Sequence, residues 1–123
     1  MRGLFDTSVI LGPPSPELPD EAAISVVSLA EIRLGVLVAA NAIERAQRLD
    51  RLVELELAYS PLPVDDDVAG SYAAIVASER ERGRRPRAMD ALIAATALAR
   101  GLTLYTRDEG LAKMAAVSVK LIR

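Results

Sequence analysis

Four carboxylates in this chain stand where apolar runs begin or end. Asp6 closes the run Gly3-Leu4-Phe5, Glu31 follows the run from Ala23 to Val27 by about one helical turn, Asp90 opens the stretch that runs to Leu98, and Asp108 comes just after Leu102-Thr103-Leu104-Tyr105. Two unit negative charges about 4 Å apart repel by roughly 4 kcal/mol at an effective dielectric of about 20, so a cluster of them either binds cations or takes up protons. The chain contains no histidine and no cysteine, which removes the commonest general base, thiolate chemistry, zinc clusters and disulfides. A donor set made of oxygen alone suits Mg²⁺ or Mn²⁺. Such an ion keeps several waters and leaves positions for a phosphate oxygen, so the chemistry implied is metal-assisted hydrolysis of a phosphodiester.

Each acid also has an ordinary structural use. Ser28-x-x-Glu31 fits a helix capping box, Asp108 suits the start of a short helix near Leu111, Asp6 suits a turn through Thr7 and Ser8, and Asp90 favours a helix N-terminus. Taken one at a time these uses are the more common, but none requires all four acids to share a crevice. Thr7, Ser8 and Thr106 flank the acids and can orient them, or serve as ordinary turn residues. The densest acidic run, Asp65-Asp66-Asp67, abuts a helix start and reads as caps and solvated charge. Between Glu79 and Arg87 lie five arginines. Arg84, Arg85 and Arg87 are the candidates to hold a phosphate backbone beside Asp90, against the alternative of a solvated helix end.

The elements that must position these groups follow from the hydrophobic pattern. Apolar strand-like runs at Gly3–Phe5, Ala23–Val27, 102–105 and 117–122 alternate with helical patterns after Ser28, over residues 41–58, from Val68 to Arg82 and from Met89 to Leu98. Leu62-Pro63-Val64 reads as a short extended segment. Four prolines between Pro13 and Pro19 make residues 12–20 a loop. Alternating strands and helices predict an α/β fold, a three-layer α/β/α sandwich on a mainly parallel sheet, with its crevice beyond the carboxyl ends of the strands. A length of 123 residues suits one domain spanning 1–123, and a core that is 51% hydrophobic but only 3% aromatic is one of Ala, Leu, Val and Ile. The charged opening and the lack of a long apolar run predict a cytoplasmic protein with no membrane segment. A net charge of −2 means that any nucleic-acid binding depends on a local basic patch or on bridging cations.

Phe5-Asp6-Thr7-Ser8-Val9-Ile10, Ser28-Leu29-Ala30-Glu31-Ile32-Arg33-Leu34-Gly35-Val36, Met89-Asp90-Ala91-Leu92-Ile93-Ala94-Ala95-Thr96-Ala97 and Leu104-Tyr105-Thr106-Arg107-Asp108, in this order, resemble the PIN-domain family. Within it they are most similar to the VapC toxins of bacterial toxin–antitoxin pairs. The resemblance implies a PIN-like fold, Asp6, Glu31 and Asp90 as core Mg²⁺ ligands with Asp108 as a fourth, and cleavage of single-stranded RNA by a metal-activated water to leave a 5′-phosphate and a 3′-hydroxyl. It also implies a homodimer and a VapB-like antitoxin partner. The chain departs from the family pattern twice. Leu11 to Ala22 is short and proline-rich where relatives usually carry more helix, and Leu111-Ala112 stands where many relatives place an acidic-aromatic pair.

Two other readings use the same acids. A receiver-like signalling module also gathers carboxylates around Mg²⁺, but it needs a lysine just after a strand, and the only lysines are Lys113 and Lys120. A catalytically inactive PIN fold serving as an interaction protein is the other.

Overall fold

In the computed structural model, which describes residues 3–123, three-residue and four-residue strands carry the whole frame. In chain order the elements are β1 (Gly3–Phe5), α1 (Thr7–Leu11), β2 (Ala22–Ile24), α2 (Val26–Leu37), α3 (Ala42–Ala58), α4 (Asp66–Glu81), α5 (Ala88–Arg100), β3 (Thr103–Thr106), α6 (Glu109–Ala112) and β4 (Val119–Leu121). The sheet is parallel throughout, in the order β2-β1-β3-β4. Leu4 pairs with Ala23 on one side and Leu104 on the other.

Successive strand residues point to opposite faces, and each face has its own core. Leu4, Ala23 and Leu104 pack on one face with Val68 and Ile75 of α4 and with Ile93, Ala94 and Ala97 of α5. Phe5, Ile24 and Tyr105 pack on the other with Ile32 and Val36 of α2 and Leu52 and Leu55 of α3. Helices therefore cover both faces, which gives the three layers. The small side chains of Ala91, Ala94, Ala95 and Ala97 are completely buried, so α5 lies close against its neighbours. Among the described residues, no helix is long and apolar enough to cross a membrane.

The strand order reverses direction between β1 and β3: β2 lies outside β1, and β4 lies outside β3. Such a switch point opens a crevice beyond the strand carboxyl ends. Asp6 and Thr106-Arg107-Asp108 leave the sheet at that point. Gly3 opens β1 because a Cβ there would sit 2.5 Å from Tyr105 Cε1. The room it leaves is used by Tyr105, whose ring meets Phe5 edge to face at 5.9 Å.

Several boundaries differ from the sequence pattern, most of all around the second strand, Leu62 and the last strand. The second strand stops at Ile24 instead of Val27, because Ser25 caps the next helix by accepting a hydrogen bond from the Val27 N–H at 3.0 Å. The cap is thus Ser25, and the capping box expected at Ser28 and Glu31 does not form; Ser28 is buried inside α2. Leu62 makes a single bridge to Ser25 instead of a strand. Its N–H and C=O bond to Ile24 and Val26, while the flanking Pro61 and Pro63 have no N–H to offer a further strand. The last strand shortens to Val119–Leu121. The proline-rich segment has no regular structure, and α1 ends after five residues at Gly12.

Candidate active site

Asp6 is held more tightly than any other acid of the expected set. Its N–H donates to the Tyr105 carbonyl at 3.1 Å, which continues the β1–β3 ladder by one bond, and it is 5% exposed. Oδ1 accepts from the Val9 N–H at 3.0 Å and the Ser8 hydroxyl at 2.6 Å, and Oδ2 accepts from the buried Thr106 hydroxyl at 2.5 Å. Thr106 Oγ1 in turn accepts the Asp108 N–H at 3.0 Å, and Ser8 Oγ accepts the Arg107 N–H at 2.9 Å. Two hydroxyls thus join the loop after β1 to the loop after β3 through one carboxylate.

Glu31 projects from the second turn of α2. Its Oε1 accepts from the Thr7 hydroxyl at 2.6 Å, and Thr7 Oγ1 lies 3.1 Å from Ser28 Oγ. Asp90 lies in the first turn of α5, a helix with no side-chain cap, where its charge opposes the positive end of the helix dipole. Arg87 grips it with two hydrogen bonds, Nε to Oδ2 at 2.9 Å and Nη2 to Oδ1 at 3.0 Å. Asp108 caps α6, Oδ1 accepting from Gly110 at 2.8 Å and Leu111 at 3.4 Å.

The structural uses anticipated for Asp6, Asp90 and Asp108 are therefore present, and among the described residues no three acidic side chains form a ready cage for an ion. The Arg87 guanidinium is raised above its usual pKa, first by its hydrogen bonds to Asp90 and its charge, and then by the charges of Glu31 and Asp108. Asp90 and Asp108 line one concavity and Thr106 ties Asp6 to Asp108, whereas Glu31 is reached through Thr7 and lines a different concavity. Asp108 Oδ2 and Glu31 Oε2 have no hydrogen bond among the described residues, so acceptor oxygens remain on both. Mg²⁺ characteristically takes one or two carboxylates and keeps its waters. An all-oxygen donor set with free acceptor atoms is of the kind such an ion takes.

Two concavities hold three of the four acids. One, of about 440 Å³, is lined by Asp90 and Asp108 together with Arg84, Arg85, Arg87 and Lys113. The other, of about 310 Å³, is more apolar, with Leu11, Ile32 and Gly35 beside Glu31, Arg48 and Arg51. Of the three arginines expected to meet a phosphate backbone, Arg85 and Arg87 are exposed, whereas Arg84 donates to the Lys113 carbonyl at 2.7 Å and lies 3.7 Å from Glu79. Asp65 caps α4 and pairs with Arg100, away from this crevice. Two residues at the basic groove, Glu79 and Lys113, were not singled out by sequence pattern. Glu79 sits in an alternating Glu-Arg run that reads as a solvated face, and Lys113 is a lone cation beyond a short helix.

The match to known proteins agrees with this geometry. Residues 4–117 match the family model described as PIN domain. Ribonuclease VapC5 of Mycobacterium tuberculosis is 43% identical over 98% of this chain and 94% of its own length. Toxin FitB of Neisseria gonorrhoeae is 33% identical, over 87% of this chain and 88% of its own. The crystal structure of VapBC-5 from Mycobacterium tuberculosis, a member of the VapBC family of toxin–antitoxin systems, superposes with a TM-score of 0.89 at 43% identity, covering 99% of this chain and 98% of the other. The chain belongs to the PIN-domain family, in its branch of VapC ribonucleases.

Proposed function

We propose that this chain is a metal-dependent endoribonuclease and the toxin of a toxin–antitoxin pair. The observation that carries the reading is the meeting of Asp6 and Asp108 through Thr106 at the sheet's switch point, where Asp90 and Asp108 line a basic groove. Asp6, Glu31, Asp90 and Asp108 are the residues to hold Mg²⁺, with Mn²⁺ able to replace it. When bound, such an ion would supply charge stabilisation to the phosphodiester and make a coordinated water more acidic.

The rest falls to the chain itself. Thr106 and Ser8 fix both oxygens of Asp6, and Thr7 fixes Glu31, so the acids do not need to be ordered during reaction. Arg87 is bonded to Asp90 yet its side chain is 73% exposed, so it can turn toward a phosphate. With Arg85 it gives the groove the cationic wall that an RNA backbone requires in a protein of net charge −2, while Arg84 is turned to Glu79 and the Lys113 carbonyl. The relatives' toxin–antitoxin context supports a VapB-like antitoxin partner, and the family resemblance supports a homodimer. A receiver-like reading finds no lysine after a strand end: Lys113 caps α6, and Lys120 lies within β4.

The purified chain, freed of any partner, is expected to cut single-stranded RNA with Mg²⁺ or Mn²⁺ and to stop on addition of EDTA. Cleavage that persists in EDTA would overturn the mechanism. Growth arrest on expression, relieved by co-expression of the neighbouring gene product, would separate a toxin from a housekeeping nuclease.

A further inference from the structure

The basic groove is organised around a buried acid. Glu79, in the last turn of α4, is 3% exposed, and a carboxylate so far from water persists only where cations and donors surround it. Its Oε2 accepts from Arg82 at 3.0 Å, and its Oε1 lies 3.7 Å from Arg84. The Arg84 N–H also donates to the Glu79 carbonyl at 2.8 Å. The same guanidinia then reach the far wall: Arg84 Nη1 donates to the Lys113 carbonyl at 2.7 Å, and Arg82 Nη1 stands 3.4 Å from it. Glu79, Arg84 and the Lys113 backbone form a strut from the end of α4 to the end of α6.

The strut separates the cations by role. Arg82 and Arg84 are both paired with Glu79 and held against the Lys113 carbonyl at the groove's frame. Arg85, on the turn, and Lys113, at the C-cap of α6, both line the groove. Both residues are exposed, and neither makes a salt bridge among the described residues. Asp90 and Asp108 line the same space, so a strand lying in it passes directly to the carboxylates.

We propose that this groove is a phosphate subsite for the RNA strand next to the scissile bond. Arg85 and Lys113 are its two contacts, and Glu79 is the positioning residue that fixes their spacing. The proposal rests on the ribonuclease reading for the identity of the ligand. A guanidinium fork and an ammonium lining one groove suit a phosphodiester, which presents two anionic oxygens but only one charge.

The test is fluorescence anisotropy of a labelled single-stranded RNA with the full chain carrying Asp6→Asn in Mg²⁺ buffer, and with the wild-type chain in EDTA as a second parent. Arg85→Gln and Lys113→Gln are each expected to weaken binding about fivefold and to reduce the slope of log K against log salt by about 0.7, the value for one phosphate contact on a single strand. Glu79→Gln is expected to weaken binding without lowering the slope, since it removes no cation. Lys120→Gln, on β4 and outside the groove, should bind within about twofold of its parent. Unchanged binding by Arg85→Gln and Lys113→Gln would overturn the subsite, as would an equal loss in Lys120→Gln. A Glu79→Gln chain that melts lower but binds RNA as its parent does would overturn the positioning role. Absence of cleavage by the wild-type chain in Mg²⁺ alongside the expected binding losses would refute the ribonuclease reading and leave the subsite standing.

Discussion

Replacing Thr106 by Val keeps the shape of a completely buried side chain and removes only its hydroxyl. That hydroxyl donates to Asp6 Oδ2 at 2.5 Å and accepts the Asp108 N–H at 3.0 Å. The first bond has a carboxylate acceptor and is worth about 1.5–3 kcal/mol, and the second, left unmade in a partly buried setting, costs about 1 kcal/mol more. The new methyl recovers roughly 1 kcal/mol of burial. The expected net loss is about 1.5–3 kcal/mol, or a fall in melting temperature of roughly 5–12 °C for a chain of this size. Cleavage should fall more than stability explains at a temperature where the variant is folded, because one oxygen of Asp6 loses its anchor. Thermal melting by circular dichroism and RNA cleavage at 25 °C read the two effects, and Thr106→Ser should restore both. A Thr106→Val chain that melts within about 2 °C of wild type and cuts normally would refute the claim that Thr106 joins the two catalytic loops.

Asp6→Asn or Asp90→Asn should lower Mg²⁺-dependent cleavage by at least about a hundredfold while the circular dichroism spectrum is preserved, whereas Asp66→Ala, at an exposed position in the first turn of α4, should stay within about twofold. The Val68 N–H and then Arg100 hold the Asp65 carboxyl below its ordinary pKa. A folded-state pKa below the unfolded one adds stability that is complete above about pH 4 and is lost as pH falls through the folded value. The melting-temperature gap between wild type and Asp65→Asn should therefore narrow as pH is lowered from about 5 to 2, and a constant gap would contradict the assignment. Gly3→Ala places a Cβ 2.5 Å from Tyr105 Cε1 and should cost about 1–3 kcal/mol in denaturant unfolding, by displacing a packed ring.

How much of this was readable beforehand depended on whether a signal was local. β1 with Asp6, and β3 with Asp108, show in the sequence because a short apolar run gives way at once to polar turn residues. The hydrophobic pattern places the start of α2 three residues late because Val26 and Val27 are β-branched and prolong the strand pattern, while the deciding event, the Ser25 hydroxyl meeting the Val27 N–H, uses a serine lodged inside an apolar run. The hydroxyl links from Thr7 to Glu31 and from Thr106 to Asp6 span 24 and 100 residues, so adjacency along the chain could suggest flanking roles but not the pairings. Glu79 was hidden for the same reason. Its burial arises where the 82–87 turn folds back toward α6, and nothing in Glu-Arg-Glu-Arg marks which of the acids goes inside.

The central claim is that carboxylates from separate stretches of chain hold one kind of divalent cation. Isothermal titration of Mn²⁺ into the purified, EDTA-stripped chain measures it without reference to catalysis. Saturable binding is expected in the wild type, weakened at least about tenfold by Asp90→Asn or Asp6→Asn and unaffected by Asp66→Ala. Equal Mn²⁺ binding by wild type and both asparagine variants would contradict it.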